Sequence, residues 1–165
     1  MWMVNLEKLN KNLMLIIADV IKNEVAEAVK KEESQTIHDT IYDDFPNPIE
    51  YIRRKDSGGL SDKSNMEVSN AILTGNTVIV RIRNKTKGQS AKKVVNNLQY
   101  IVEMNAKNAE GDYYDYPNGV TKEFYLKRRP FQANTVLRLK KNKGHLYAIK
   151  KGLMTRHGIE KVTIR

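Results

Sequence analysis

The chain has no cysteine, which removes disulfides, thiolate metal ligands and cysteine nucleophiles together and suits a reducing compartment. It has three histidines, His38, His145 and His157, too few and too scattered for a metal cluster. His145 and His157 share one predicted helix but stand about 18 Å apart along its axis. It also lacks a long apolar run. The patch "LMLIIADVI" follows Lys8 and Lys11 and is interrupted by Asp19, so it reads as neither signal peptide nor membrane span. No Walker loop, three-glycine dinucleotide fingerprint, Gly-x-Ser-x-Gly elbow or HExxH helix is present. Internal repeats and low-complexity tracts are missing as well. The acidic pairs, Asp43 with Asp44 and those of "DYYDY", lack the promise of burial that paired-carboxylate chemistry needs.

What is present is 165 residues, the size of one domain, with a net charge of +10. The charge is unevenly placed. Residues 1–50 carry ten Asp or Glu against five Lys, whereas residues 121–165 carry thirteen Lys or Arg against two Glu. Such a basic excess serves nucleic acid, an acidic partner surface, or solubility.

The apolar pattern begins as a helix. Leu6, Leu9, Leu13, Ile16 and Val20 recur at spacings of three and four, Ile17, Ile21 and Val25 widen the stripe, and Ile37, Ile41 and Phe45 resume it. The pattern predicts one very long helix over residues 1–45, or two with a bend near Ser34, ended by Pro46 and Pro48. Such a helix exceeds what the remaining chain could cover. It needs a neighbour, and a second copy is the simplest one.

Residues 49–165 are expected to form an α+β core. "NMEVSNAILTG" supplies one or two short strands and "NTVIVRIRN" another, with Gly75-Asn76 as the turn. Val78, Val80 and Ile82 alternate with Ile79, Arg81 and Arg83, so one face is packed and the other wet and basic. Ala91 to Met104 fits a helix better than a strand, and residues 105–123 read as a long loop. Pro130 is expected in the first turn of a helix carrying Phe131, Thr135, Leu137 and Leu139 and broken by Gly144. A last helix through Leu146, Ile149 and Leu153 ends at Gly158 as a left-handed cap, and "IEKVTIR" alternates like a final strand that joins the sheet. The fold class is thus α+β in one domain: a long N-terminal helix, a small mainly antiparallel sheet, and two C-terminal helices on one face.

"RRKDSGGLSDKSN", residues 53–65, has the basic, glycine and hydroxyl residues of an anion cradle, but its adjacent glycines fail the phosphate-loop spacing. Gly58 and Gly59 suit a turn with positive φ. One enzymatic reading is a metal-free, toxin-type ribonuclease using Lys127, Arg128, Arg129, His145 and Tyr147 as acids, bases and phosphate stabilisers. Another reading takes Phe124, Tyr125, Phe131 and Tyr147 among the basic residues as a nucleic-acid surface, without the signature of a specific module.

Three patterns carry a resemblance: Tyr51-x-Arg53-Arg54 followed by Gly58-Gly59-Leu60; Val102-Glu103 ahead of the long loop; and Arg129-Pro130-Phe131 opening a helix. In this order, after a long amphipathic helix, they resemble the tail-completion or neck proteins of tailed bacteriophages. The resemblance implies a non-enzymatic virion protein, assembled in the host cytoplasm, without cofactor, metal or membrane. It implies a homo-oligomeric ring, a hexamer or dodecamer, that joins the capsid connector to the tail tube around the DNA channel. The partners implied are further copies, neck, connector and tail-tube proteins, and non-specific contact with DNA. Subunit or partner contacts are expected at Arg53, Arg54, Gly58, Gly59, Leu60, Tyr113, Tyr114, Tyr116, Arg129 and Phe131. The basic surface is expected at Arg81, Arg83, Lys127, Arg128, Lys140 and Lys141. An acidic first part meeting a basic second part head to tail would close such a ring.

Overall fold

A computed structural model describes residues 5–43, 53–87, 130–163 and the backbone of 89–90 and 101–103. Helix α1 (Leu6–Val20) starts where the Asn5 side chain accepts the Lys8 amide at 3.0 Å. The helical path continues through a π segment (Ile21–Val25), α2 (Ala26–Ile37) and a second π segment (His38–Tyr42). There is no break at Ser34. The irregularity lies instead in the two π segments, each of which shifts the side-chain phase of a helix too long to keep one stripe inward. Pro46, Pro48 and Phe45 lie outside the described residues.

The chain groups into two units: Met1–Lys30, Val68–Arg83 and Leu139–Arg165 form the first, and Lys31–Glu67 with Asn84–Arg138 the second. In the first, the C-terminal helix packs on α1 and its π segment, and the hairpin also touches α1. Its buried side chains include Met14, Ala18, Val20, Ala26 and Leu139. In the second, Ile37, Ile41, Tyr42, Leu60, Met66 and Phe131 are buried together with the polar Glu33, Thr36, Ser61, Thr86 and Thr135.

The strands are short: β1 (Met66–Val68), β2 (Ile72–Thr74), β3 (Thr77–Ile79), β4 (Ile82–Asn84), β5 (Gln89–Ser90) and β6 (Ile101–Glu103). They pair as β1 with β4, β2 with β3 and β5 with β6. Gly75-Asn76 is the hairpin turn, with Thr74 opposite Thr77 and positive φ at Gly75. Ser69 bonds across to Arg81, whereas Ile72 faces Ile79. Three steps of one strand therefore lie opposite two of the other, the register change of a β-bulge, and it divides the expected single strand "NTVIVRIRN" into β3 and β4. The alternation survives it: Val78, Val80 and Ile82 are half-buried, and Ile79, Arg81 and Arg83 exposed.

Ile101–Glu103 is a strand rather than helix, in keeping with two adjacent β-branched residues; residues 91–100 lie outside the described residues. Helix α3 (Phe131–Asn142) begins one residue after Pro130, whose carbonyl accepts the Asn134 amide. Phe131, Thr135 and Leu139 are buried at four-residue spacing, but Leu137 falls on the other side and is exposed. The helix ends at Lys143, left-handed at φ 56°, and Gly144 opens α4 (Gly144–His157) rather than breaking the run. Asn142 Oδ1 accepts the Gly144 amide at 2.8 Å and so supports that corner. Gly158 is the left-handed cap, with the Ile159 amide returned to the Leu153 carbonyl at 3.1 Å. The expected final strand is absent through residue 163: this closure turns the chain back on its helix, and no strand edge pairs with it among the described residues.

Candidate subunit interface

Loop 53–65 uses up its own backbone. The Gly58 amide donates to Asp62 Oδ2 (2.6 Å), Leu60 to the Tyr42 hydroxyl (3.1 Å), Ser57 to the Arg54 carbonyl (2.8 Å) and Ser64 to Asp62 Oδ1 (2.8 Å). Amides needed for a phosphate cradle are thereby committed, and the loop adds an anion of its own. The Ser64 hydroxyl and amide, with help from the Gly58 amide and against burial, hold the Asp62 carboxyl below its ordinary range. Gly58 has φ +85°, the conformation for which glycine was expected; Gly59 does not share it.

Neighbouring side chains then grip the loop's carbonyls. Asn65 and Thr86 donate to Gly59 O (3.0 and 3.1 Å), and Asn84 donates to Leu60 O (2.8 Å) and Glu33 (3.2 Å). Arg53 donates to the Tyr42 carbonyl and lies 5.9 Å from its ring centre, with Lys55 at 5.8 Å. Arg54 donates to the Lys87 carbonyl at 2.7 Å. Leu60 and Phe131, read from the sequence as interface candidates, are core side chains of this unit. The residues that hold the loop, Tyr42, Asn84 and Thr86, were missed because nothing in their spacing marks a long-range hydrogen bond.

Beside the loop is an open, polar hollow of about 540 Å³ lined by Lys31, Ser34, Gln35, His38, Asp56, Ser61, Asp62, Lys63 and Ser64. It contains serine, histidine and aspartate, but in the wrong order for a nucleophilic triad. His38 Nε2 meets Asp56 Oδ1 at 2.9 Å, and the buried Ser61 hydroxyl lies on the Asp56 side without a well-formed hydrogen bond. The His38 contact and then Ser61 hold Asp56 below its ordinary pKa, so the carboxylate stands between histidine and serine. Activation needs the imidazole between them. Among the described residues no group of three or more His, Cys, Asp or Glu could hold a metal.

The first unit offers a different surface. On α1, Leu6, Leu9 and Leu13, the N-terminal end of the helical stripe, are 74%, 56% and 47% exposed. Ile72, Leu73 and Ile79 of the hairpin are each more than 40% exposed. Asn10, beside the leucine stripe, donates to Asn76 at the hairpin tip (3.3 Å), and β3 touches α1, so the hairpin lies along the same helix; Ile72 and Ile79 share one of its faces and Leu73 the other. An uncovered surface of this kind marks an interaction site. The sequence pattern indicated the leucines; the hairpin residues escaped notice because alternation does not tell which apolar positions lack a cover.

The rest of that unit is fastened internally. Asp19 accepts from Arg156 Nε and Nη2 (2.9 and 3.0 Å), faces His157 Nε2 (2.9 Å), and takes a bond from Asn23 (2.8 Å). His157 is thus tied to α1. Arg81, Arg83, Lys140 and Lys141 are exposed. Tyr113, Tyr114, Tyr116, Lys127, Arg128 and Arg129, with the loop 105–123, lie outside the described residues.

The family model YomN matches residues 5–155. No curated protein matched the chain, and no solved structure did.

Proposed function

The chain belongs to the YomN family, a Bacillus-phage-derived, SPbeta-like prophage family, and from that premise we propose that it is a structural protein of the phage neck. In this reading, copies join head to tail into a ring, a hexamer or dodecamer, between the capsid connector and the tail tube around the DNA channel. It acts by assembly, in the virion, after association in the host cytoplasm. The observation that carries the reading is the exposed set Leu6, Leu9, Leu13, Ile72, Leu73 and Ile79 on one unit. A monomer would leave these side chains in water at a cost of about 25 cal/mol for each Å² of apolar surface left uncovered. A neighbouring subunit removes that cost. A ring, unlike a closed dimer, contacts a neighbour on each side and leaves its two ends for the connector and the tube.

The test is the mass of the purified protein by light scattering, alone and with its tail-tube partner, with electron microscopy of any assembled fraction. Rings with a central hole are expected. A protein that stays monomeric under both conditions overturns the reading.

A further inference from the structure

The outward face of the C-terminal helix pair carries cations and nothing to balance them. From Phe131 to Thr163 the only acid is Glu160. Lys140 and Lys141 are exposed at the end of α3, Lys143 at the corner, and Lys150 and Lys151 on α4. None of these five makes an ion pair or a side-chain hydrogen bond among the described residues. Two other cations of the unit are paired: Arg156 with Asp19 and Glu24, and Lys22 with Asn70.

The two sides of α4 differ in kind. Gly152 is buried against Val20 and Glu24 of α1 and its π segment, and Arg156 and His157 are tied to Asp19, which fixes that side to the unit. Tyr147, Lys150, Lys151 and Met154, at spacings of three and four, occupy the other and are exposed. Tyr147 is 67% exposed, so an aromatic ring stands one turn from two free lysines. The first turn of α4 has no acid, and Lys143 precedes it, so the positive end of the helix dipole adds to the same field. Corner and helix are rigid, because the Lys143 carbonyl accepts the Leu146 and Tyr147 amides at 2.9 and 3.1 Å.

We propose that this face, Lys140, Lys141, Lys143, Lys150 and Lys151 with Tyr147, binds the phosphate backbone of duplex DNA without reading its sequence. Lysines act as point charges on flexible stems and follow a backbone that presents phosphates on every side. An acidic protein surface is the competing occupant. DNA is favoured because the lysines are free over two helices and Glu160 is the only acid from Phe131 to Thr163, so unbalanced charge outweighs the exposed apolar side chains there, Val136, Leu137, Tyr147 and Met154. The inference stands apart from the ring reading, since it requires only the folded subunit.

The experiment measures binding of the full-length protein to a labelled random-sequence duplex of about 20 base pairs by fluorescence anisotropy, over graded salt. Each phosphate contact adds about 0.9 to the slope of log affinity against log salt. The slope is therefore expected near 4 to 5. Lys150→Gln with Lys151→Gln should lower affinity at least tenfold and the slope by about 2. Lys31→Gln with Lys63→Gln, in the other unit, should change neither, and light scattering on all variants checks that folding and assembly persist. No binding at low salt, or equal losses in the two variant pairs, overturns the proposal. Polyglutamate competing as well as DNA at equal charge also overturns it and assigns the face to an acidic partner. Loss of rings with DNA binding retained counts against the neck reading alone.

Discussion

A β-carbon placed on Gly152 would stand 2.7 Å from Cγ1 of Val20, so α4 lies against α1 only because position 152 has no side chain. The same carbon would be 3.0 Å from Glu24 Oε2, an oxygen that is buried without a partner among the described residues. Glu24 can swing aside, but Val20 is β-branched and 1% exposed. Gly152→Ala gains about 0.5–1 kcal/mol from helix propensity and loses about 1–3 kcal/mol to overpacking, so net destabilisation is expected. Denaturant unfolding checks it. Adding Val20→Ala should recover part of the loss, and strict additivity of the two changes would show that the contact is not the cause.

Asp19 gives the fold a defined acid limit. Its carboxyl is held below its ordinary value of 3.8 by the Arg156 hydrogen bond first and, against burial, by His157. A depressed folded pKa stabilises above the unfolded value and loses that stability as pH falls through the folded one. Asp56 and Asp62 share this direction, as does Asp39, where burial opposes the shift but Arg138 and Gln35 outweigh it. The melting temperature should stay level from about pH 7 to 5 as far as these groups decide it, and fall below about pH 4. Asp19→Asn should flatten that fall while lowering stability at pH 7 by less than about 1 kcal/mol, since the pair is a third exposed.

Asn84 holds the glycine loop from both ends of its amide. Its nitrogen donates to Leu60 O and Glu33, while its oxygen accepts the Thr86 amide (3.1 Å) and lies 2.7 Å from the Thr86 hydroxyl, whose one hydrogen it shares with Gly59 O. Asn84→Ala strands the Leu60 carbonyl and Tyr42→Phe strands the buried Leu60 amide, so each should cost about 1–3 kcal/mol. A double-mutant cycle between Asn84→Ala and Thr86→Val should show coupling, since both bonds end on consecutive loop carbonyls.

That loop shows how far the sequence could be read. Local features were legible: the long helix from its apolar stripe, the Gly75-Asn76 turn, the Gly58 turn and the Gly158 cap each follow from nearest-neighbour chemistry. The α+β class followed from them. What was illegible depends on partners distant in sequence. The Asn84 grip spans 24 residues to Leu60, and the Asp19 clamp 137 to Arg156. "IEKVTIR" alternates like a strand, but alternation cannot supply a partner edge. The π segments were hidden as well, because their sequence contains no Gly or Pro to announce them.

The leucine end of α1 allows assembly to be separated from folding. Leu9, more than half exposed, loses little from the unassociated subunit when shortened, so Leu9→Ser should change its unfolding free energy by no more than about 0.5 kcal/mol. Met14, one turn further and 8% exposed, is part of the core, and Met14→Ala should cost about 2–5 kcal/mol. If the ridge is a subunit contact, Leu6→Ser with Leu9→Ser and Leu13→Ser lowers the assembled mass by light scattering while subunit stability under dissociating dilution falls by no more than about 1.5 kcal/mol. If the contact extends to the hairpin, Ile79→Thr should weaken assembly in the same direction, because it removes exposed apolar surface from the same unit. Assembly untouched by all four changes would mean that the copies meet elsewhere, and the apolar surface would then belong to another partner.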